Sequence, residues 1–174
     1  MVNKLVIISI FILYFSCGKS NNRAGVESKM ASDSIQVEQV IEMPDEMKVE
    51  IALKFINSYV ESLKKIKHIQ EIDDWITSNS LVSNSFIQEY KRINEEAYKI
   101  DPELGLGFDP ILDSQDSPDD GFMLEEIETD SNFIMMKGKD WEQFKLVMKM
   151  KKENGQWLVD GSGIINIPAE KQKF

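Results

Sequence analysis

The chain has 174 residues, of which 42% are hydrophobic, so it is long enough and apolar enough for one domain with a buried core. Its 30 acidic side chains outnumber its 20 basic ones and give a net charge of −10. Nucleic acids and anionic lipid surfaces are bound through clusters of basic residues, so this balance argues against both as electrostatic partners.

The first residues predict a secretory signal. Lys4 is followed by an apolar run, Leu5–Phe15, that is shorter than the ~20 helical residues needed to span a bilayer core. Ser16 and Cys17 resemble the lipobox of bacterial lipoproteins, in which the cysteine becomes the lipidated N-terminus, although Tyr14 stands where leucine is usual. A cleaved signal with an incidental thiol and an uncleaved anchor are the alternatives.

Composition divides the chain into four predicted segments. They are a signal peptide (1–16), a lipidated cysteine with a disordered tether (17–43), a folded domain (44–168) and a C-terminal tail (169–174). The tether is small and polar and buries too little surface to offset its chain entropy. No acidic run follows Cys17, so we expect lipid anchoring to the outer membrane with the domain facing the periplasm.

Three amphipathic helices are predicted at the start of the domain. Pro44 and the acids after it begin the first, and its apolar positions recur at helical spacing as far as Ile66. A short second helix is predicted over Ile69–Ile76. The third covers Phe86–Ile100 and ends before Pro102, because the residue preceding a proline disfavours helical geometry.

A loop rich in turn residues follows over 105–121, and the rest of the domain reads as strands. Asn154-Gly155 predicts a tight hairpin between the last two. The order of these elements, with the helices first and an antiparallel meander of strands second, predicts an α+β fold. The helices are expected to pack on one face of a curved sheet. The predicted strands are Phe122–Glu128, Asn132–Lys137, Glu142–Lys151 and Gln156–Ile165.

Three stretches carry a family resemblance: Phe55–Val60, Phe108–Asp116 and Asn154–Asp160. Together they resemble the bacterial lipoprotein family called domain of unknown function 3828, which belongs to the nuclear transport factor 2-like superfamily with its cystatin-like cone. The resemblance covers about residues 45–166. It implies a cone of helices cupped by a sheet and a location in the cell envelope. It implies no reaction, because the family has none assigned.

Enzymes on this cone place an Asp or His, often with a Tyr, in the mouth. Apart from catalysis, residues at the mouth could hydrogen-bond to a ligand or stack on it, and the candidate ligand-binding residues are Tyr59, Asp109, Asp113, Gln115, Asp116 and Trp157. The structural alternative is that the loop residues satisfy backbone groups and that Trp157 is sheet core, packed against Phe55 or Tyr59. His68, the single histidine, is expected at a helix end on the surface.

The acids between Asp109 and Asp120 suggest a calcium loop as one alternative, but their spacing departs from the EF-hand pattern, and solvated turns use the same residues. Cys17 lies on the tether, away from any histidine. We therefore predict no catalytic residue, no metal and no cofactor.

These features favour a non-enzymatic binding or interaction module whose partners are the lipid bilayer, through acylated Cys17, and an envelope protein or small ligand. An Asp-dependent hydrolase or isomerase with its site in the cone mouth is the second hypothesis. A periplasmic immunity protein against a toxin is the third, since an acidic domain complements a basic toxin.

The anchor is directly testable. Cys17→Ser removes the acylation site, and a permanent anchor requires the two or more chains that lipoprotein processing adds. The variant should leave the membrane fraction, and it should incorporate no labelled fatty acid. Unchanged fractionation of the variant, and a parent that takes up no label, would refute lipidation.

Overall fold

The computed structural model describes residues 43–66, 68–128 and 131–172, and all of them belong to one compact unit, 39–174. The predicted signal peptide, Cys17 and the tether up to residue 42 lie outside the described residues. No helix within these ranges combines the length and the apolar character needed to cross a bilayer.

Three helices precede a four-stranded sheet, so the predicted α+β class is confirmed. The helices are α1 (Met43–Lys65), α2 (Ile69–Thr77) and α3 (Asn84–Ile100). The strands are β1 (Phe122–Ile127), β2 (Phe133–Gly138), β3 (Lys145–Glu153) and β4 (Gln156–Ser162). Each strand pairs with the next in antiparallel fashion, in the order β1-β2-β3-β4.

Local signals explain these boundaries. The side chain of Ser83 caps α3 by accepting a hydrogen bond from Phe86 N at 3.1 Å. The β3–β4 hairpin turns at Asn154 and Gly155, whose φ angles of 50° and 83° are those a tight hairpin requires. The open edge of β4 is covered near the middle of the strand by a short parallel pairing of Val82 with Val159.

The core lies between the helices and one face of the sheet. Buried side chains alternate along β3 and at the residue just before it, since Phe144, Leu146, Met148 and Met150 are buried. On the opposite face of the strand, Val147 is buried as well. A short 3₁₀ turn over 169–171 explains this, since its Lys171 lines the same recess as Val147 and lies over the ring of Phe133.

Aromatic side chains hold the helical layer together. Phe55 of α1 contacts Trp75 of α2 and Phe86 of α3, with ring centroids 6.0 and 5.7 Å apart. Tyr59, one turn further along α1, lies 5.7 Å from Trp75. The tryptophan on Phe55 and Tyr59 is therefore Trp75, not Trp157 as the sequence suggested. The local pattern identified an inward tryptophan but did not identify its partner.

Asn57 attaches α1 to the first strand. Its side-chain amide donates to Phe122 O at 3.1 Å, and its carbonyl oxygen accepts from Phe122 N at 2.7 Å. These two bonds satisfy the edge of β1 where it begins, as a neighbouring strand would. The adjacent Gly121 has a φ of 77° and lies so close that a Cβ there would be 2.3 Å from Asn57 Oδ1.

Asn57→Ala should therefore destabilise the fold measurably. It leaves a backbone donor and acceptor of a half-buried strand without partners, which costs about 1–3 kcal/mol per group. Urea denaturation of the full chain measures the loss, with Ser58→Ala, an exposed neighbour on the same helix, as the control. Equal unfolding free energies for the two variants would contradict the role assigned to Asn57.

Candidate functional site

A pocket of about 390 Å³ opens between the three helices and the loop that follows α3. We call it the helix–loop pocket. Its apolar wall comes from α1, α2 and the loop, and consists of Leu63, Ile72, Leu104, Leu106, Phe108 and Pro110. Its polar side chains are Tyr59, Tyr90, Asn94, Tyr98 and Asp109. A mostly apolar cavity of this size with a few convergent polar groups is typical of a small-molecule site.

The floor of the pocket is a Tyr–Asp pair. Tyr59 Oη donates to Asp109 Oδ2 at 2.5 Å. The other carboxylate oxygen, Oδ1, accepts from Ile111 N at 2.8 Å and Leu112 N at 3.1 Å, which closes the turn after Asp109. The carboxylate therefore joins the loop to α1 and at the same time presents an oxygen to the pocket.

Burial dominates the electrostatics of this pair. It raises the pKa of Asp109 above the ordinary carboxyl value, although the hydrogen bonds from Tyr59, Leu112 and Ile111 favour the ionised form and offset part of the shift. Burial also raises the pKa of Tyr59, and the negative charge of Asp109 raises it further. Tyr59 is therefore a neutral donor over the whole physiological range.

A second Tyr–Asp pair lies beside the first. Tyr90 Oη of α3 donates to Asp73 Oδ1 of α2 at 2.5 Å. Burial raises the pKa of Tyr90, and the charges of Asp73 and Asp109 add to the effect. Since Asp109 acts on Tyr90 as well as on Tyr59, the two pairs share one negative field.

The structure brings together two of the predicted ligand residues, Tyr59 and Asp109, and separates the others. Asp113, Gln115 and Asp116 are exposed. Gln115 Nε2 donates to Gly107 O at 3.1 Å, and Asp113 lines a different recess, beside Lys145 and Lys171.

Trp157 is half-buried near the start of β4, and the ammonium groups of Lys48 and Lys152 each lie 5.8 Å from its ring centroid. His68 is exposed and directly precedes α2, as expected of a surface position.

The acidic residues after Asp116 belong to a turn that is held by hydrogen bonds to its backbone. The backbone N–H groups of Asp119 and Asp120 both donate to Asp140, at 2.9 Å each, and these bonds lower the pKa of that carboxyl. Within residues 43–66, 68–128 and 131–172 no three acidic, histidine or cysteine side chains are grouped as metal ligands. The donor geometry gives the calcium alternative no support.

Sequence reasoning missed the contribution of α2 and α3 to the site. Neither Asp73 nor Tyr90 is among the site residues that the sequence predicts. One signal was available: Tyr90, Asn94 and Tyr98 recur every four residues and therefore share a helix face. That face carries hydrogen-bonding groups where a core face would be apolar.

Comparison with known proteins identifies no relative: no family model, no curated protein and no solved structure matches the chain.

Asp109 should give the unfolding free energy a characteristic pH dependence. Its pKa is higher in the folded protein than in the unfolded chain, so its contribution to stability is fully present below the unfolded pKa and is lost as the pH rises through the folded pKa. Asp109→Asn removes this dependence. Lowering the pH from about 7 to about 4 should therefore shift the difference in unfolding free energy between parent and variant in the parent's favour.

Chemical denaturation across that range measures the difference, with the exposed Asp116→Asn as control. A parent–variant difference that is constant with pH, or that moves toward Asp109→Asn in acid, would contradict a raised pKa.

Proposed function

We propose that the protein is a lipoprotein of the bacterial cell envelope that acts as a non-enzymatic binding module. It is anchored through Cys17, faces the periplasm from the outer membrane, and binds a small ligand in the helix–loop pocket. The observation that carries the binding proposal is the pocket itself, a cavity of about 390 Å³ with an apolar wall and a Tyr–Asp floor. The signal-like N-terminus with its single cysteine supports the anchor.

We also propose that the fold is a nuclear transport factor 2-like cone of the lipoprotein family that the sequence resembles. The order of three helices followed by a four-stranded meander supports this proposal. The burial of core residues on one sheet face supports it further, as does the parallel pairing of Val82 with the last strand.

One observation favours the alternative, an Asp-dependent hydrolase or isomerase. Asp109 is a half-buried carboxyl group in a mostly apolar pocket, and desolvation raises its pKa, as a general base needs. However, it accepts three hydrogen bonds that hold the loop, and its partner Tyr59 is a poor acid because its own pKa is raised. The neighbouring carboxyl group, Asp73, is likewise paired with a tyrosine whose pKa is raised, so the arrangement provides positioned acceptors and binding is the better-supported function.

Two substitutions on α3 test the pocket. Asn94→Trp places a large ring in it, whereas Gln88→Trp adds the same ring at an exposed position of the same helix that does not line it. The full-length proteins are purified in detergent from envelopes, and the small molecules they retain are identified by mass spectrometry. The parent and Gln88→Trp should retain a molecule that Asn94→Trp has lost.

Retention of the same molecules by all three proteins, or of none by the parent, would overturn the pocket as the binding site. If the parent converts the retained molecule to a product and Asp109→Asn does not, the hydrolase or isomerase replaces the binding module.

A further inference from the structure

The hydrogen-bonding groups of the helix–loop pocket are nearly all acceptors. The hydroxyl protons of Tyr59 and Tyr90 are both donated to carboxylates, so each phenol oxygen has only lone pairs left for a ligand. Asp109 and Asp73, when ionised, accept only. Asn94 uses one amide hydrogen inside α3, donating to Tyr90 O at 3.0 Å. A ligand that hydrogen-bonds to these groups therefore has to supply the donors.

The charge at the pocket has one sign. Among the described residues that line it, Asp109 is the only acidic or basic side chain, and Asp73 places a second carboxyl group beside Tyr90. Asp73 itself lines the adjoining recess of about 720 Å³, whose charged side chains are mixed in sign and also include Lys91, Lys99 and Glu95 of α3. These α3 residues are exposed, so water screens their influence on the pocket more than it screens the buried Asp109.

The walls suit an apolar body next to a positive charge. Tyr98 is 41% exposed and Leu104 is 68% exposed, and the half-buried Phe108 lines the same pocket. Aromatic faces attract ammonium groups, and the exposed apolar surface at the rim is otherwise left in water. The raised pKa values of Tyr59 and Tyr90, to which nearby carboxylate charge contributes, are further signs of a negative field.

We infer that the helix–loop pocket binds an organic cation: a small amine, protonated at neutral pH, on an apolar or aromatic body. The ammonium donates to Asp109 and to the phenol oxygens of Tyr59 and Tyr90, and the body lies against Phe108, Leu104 and Tyr98. An anion of the same shape is repelled by both carboxylates. A neutral alcohol brings one proton where an ammonium brings three. The inference rests on the proposed binding function and adds the ligand class.

Three probes of one shape test the class: benzylamine, benzyl alcohol and benzoate, each titrated into the full chain at neutral pH by calorimetry. Benzylamine should bind about tenfold or more tightly than benzyl alcohol, because charge-assisted hydrogen bonds are the stronger ones, and benzoate should not bind. Asn94→Trp should abolish binding of benzylamine, and Gln88→Trp should leave it unchanged.

Two further variants test whether the two carboxylates attract the ammonium group. Asp109→Asn and Asp73→Asn should each weaken benzylamine binding by about tenfold and leave benzyl alcohol within about twofold, since each removes a charge and keeps an acceptor oxygen. Asp74→Asn is the matched control, because Asp74 is an exposed neighbour on α2 that lines neither the pocket nor the adjoining recess, whereas Asp73 lines that recess and bonds to Tyr90.

The outcomes separate the two proposals. Benzyl alcohol or benzoate binding as tightly as benzylamine, or more tightly, would overturn the inference that the ligand is a cation. If Asn94→Trp abolishes that binding, the pocket remains the binding site. Failure of all three probes would overturn the cation as well, and the retained-molecule experiment then decides the pocket independently. Asp109→Asn also changes a side chain that holds the backbone of the loop. Asp73→Asn tests the effect of charge without that change, because the Asp73 carboxylate bonds to Tyr90 of α3.

Discussion

The fold depends on one stretch of the first helix, Phe55–Tyr59, because it contacts every other layer of the domain. Phe55 is fully buried and packs on Trp75 and Phe86 of the other two helices. Asn57 pairs with the backbone of Phe122 where the sheet begins. Tyr59 then bonds to Asp109 of the loop. Helical geometry aims these side chains in different directions, so α1 joins the helices, the sheet and the loop at once.

The same stretch shows what could be predicted from sequence. Its apolar spacing predicts the helix, and similar local patterns predict the other helices, the strands and the Asn154-Gly155 turn, because each depends on residues close in the chain. The pairing of Trp75 with Phe55 and of Asp73 with Tyr90 depends on how separate helices are docked. Local periodicity marks such residues as inward or polar but does not specify a partner in another element, which is why Trp157 was given the contacts that belong to Trp75.

Asp109 could be anticipated as a candidate because it opens the most distinctive motif of the loop. Its neighbours Asp113, Gln115 and Asp116 share the motif but not the pocket, since Asp109 closes a turn that directs the following residues away. A buried carboxylate is tolerated here because three donors meet it. The side chain of Asp109 can therefore hold the loop and bind a ligand at the same time.

A comparison with the buried Asp160 shows why the half-buried Asp109 is open to a ligand. At Asp160 burial also raises the pKa, but the Lys149 ammonium at 2.8 Å and the Ser83 hydroxyl at 2.7 Å outweigh it, and the net shift is downward. Asp109 is paired with a phenol, which donates a hydrogen bond but brings no charge, and its pKa stays raised. At Asp160 the protein itself supplies the cation, which is Lys149. Asp109 instead lines a cavity, the helix–loop pocket. A ligand cation would supply there what Lys149 supplies to Asp160, which is the physical reason for expecting one.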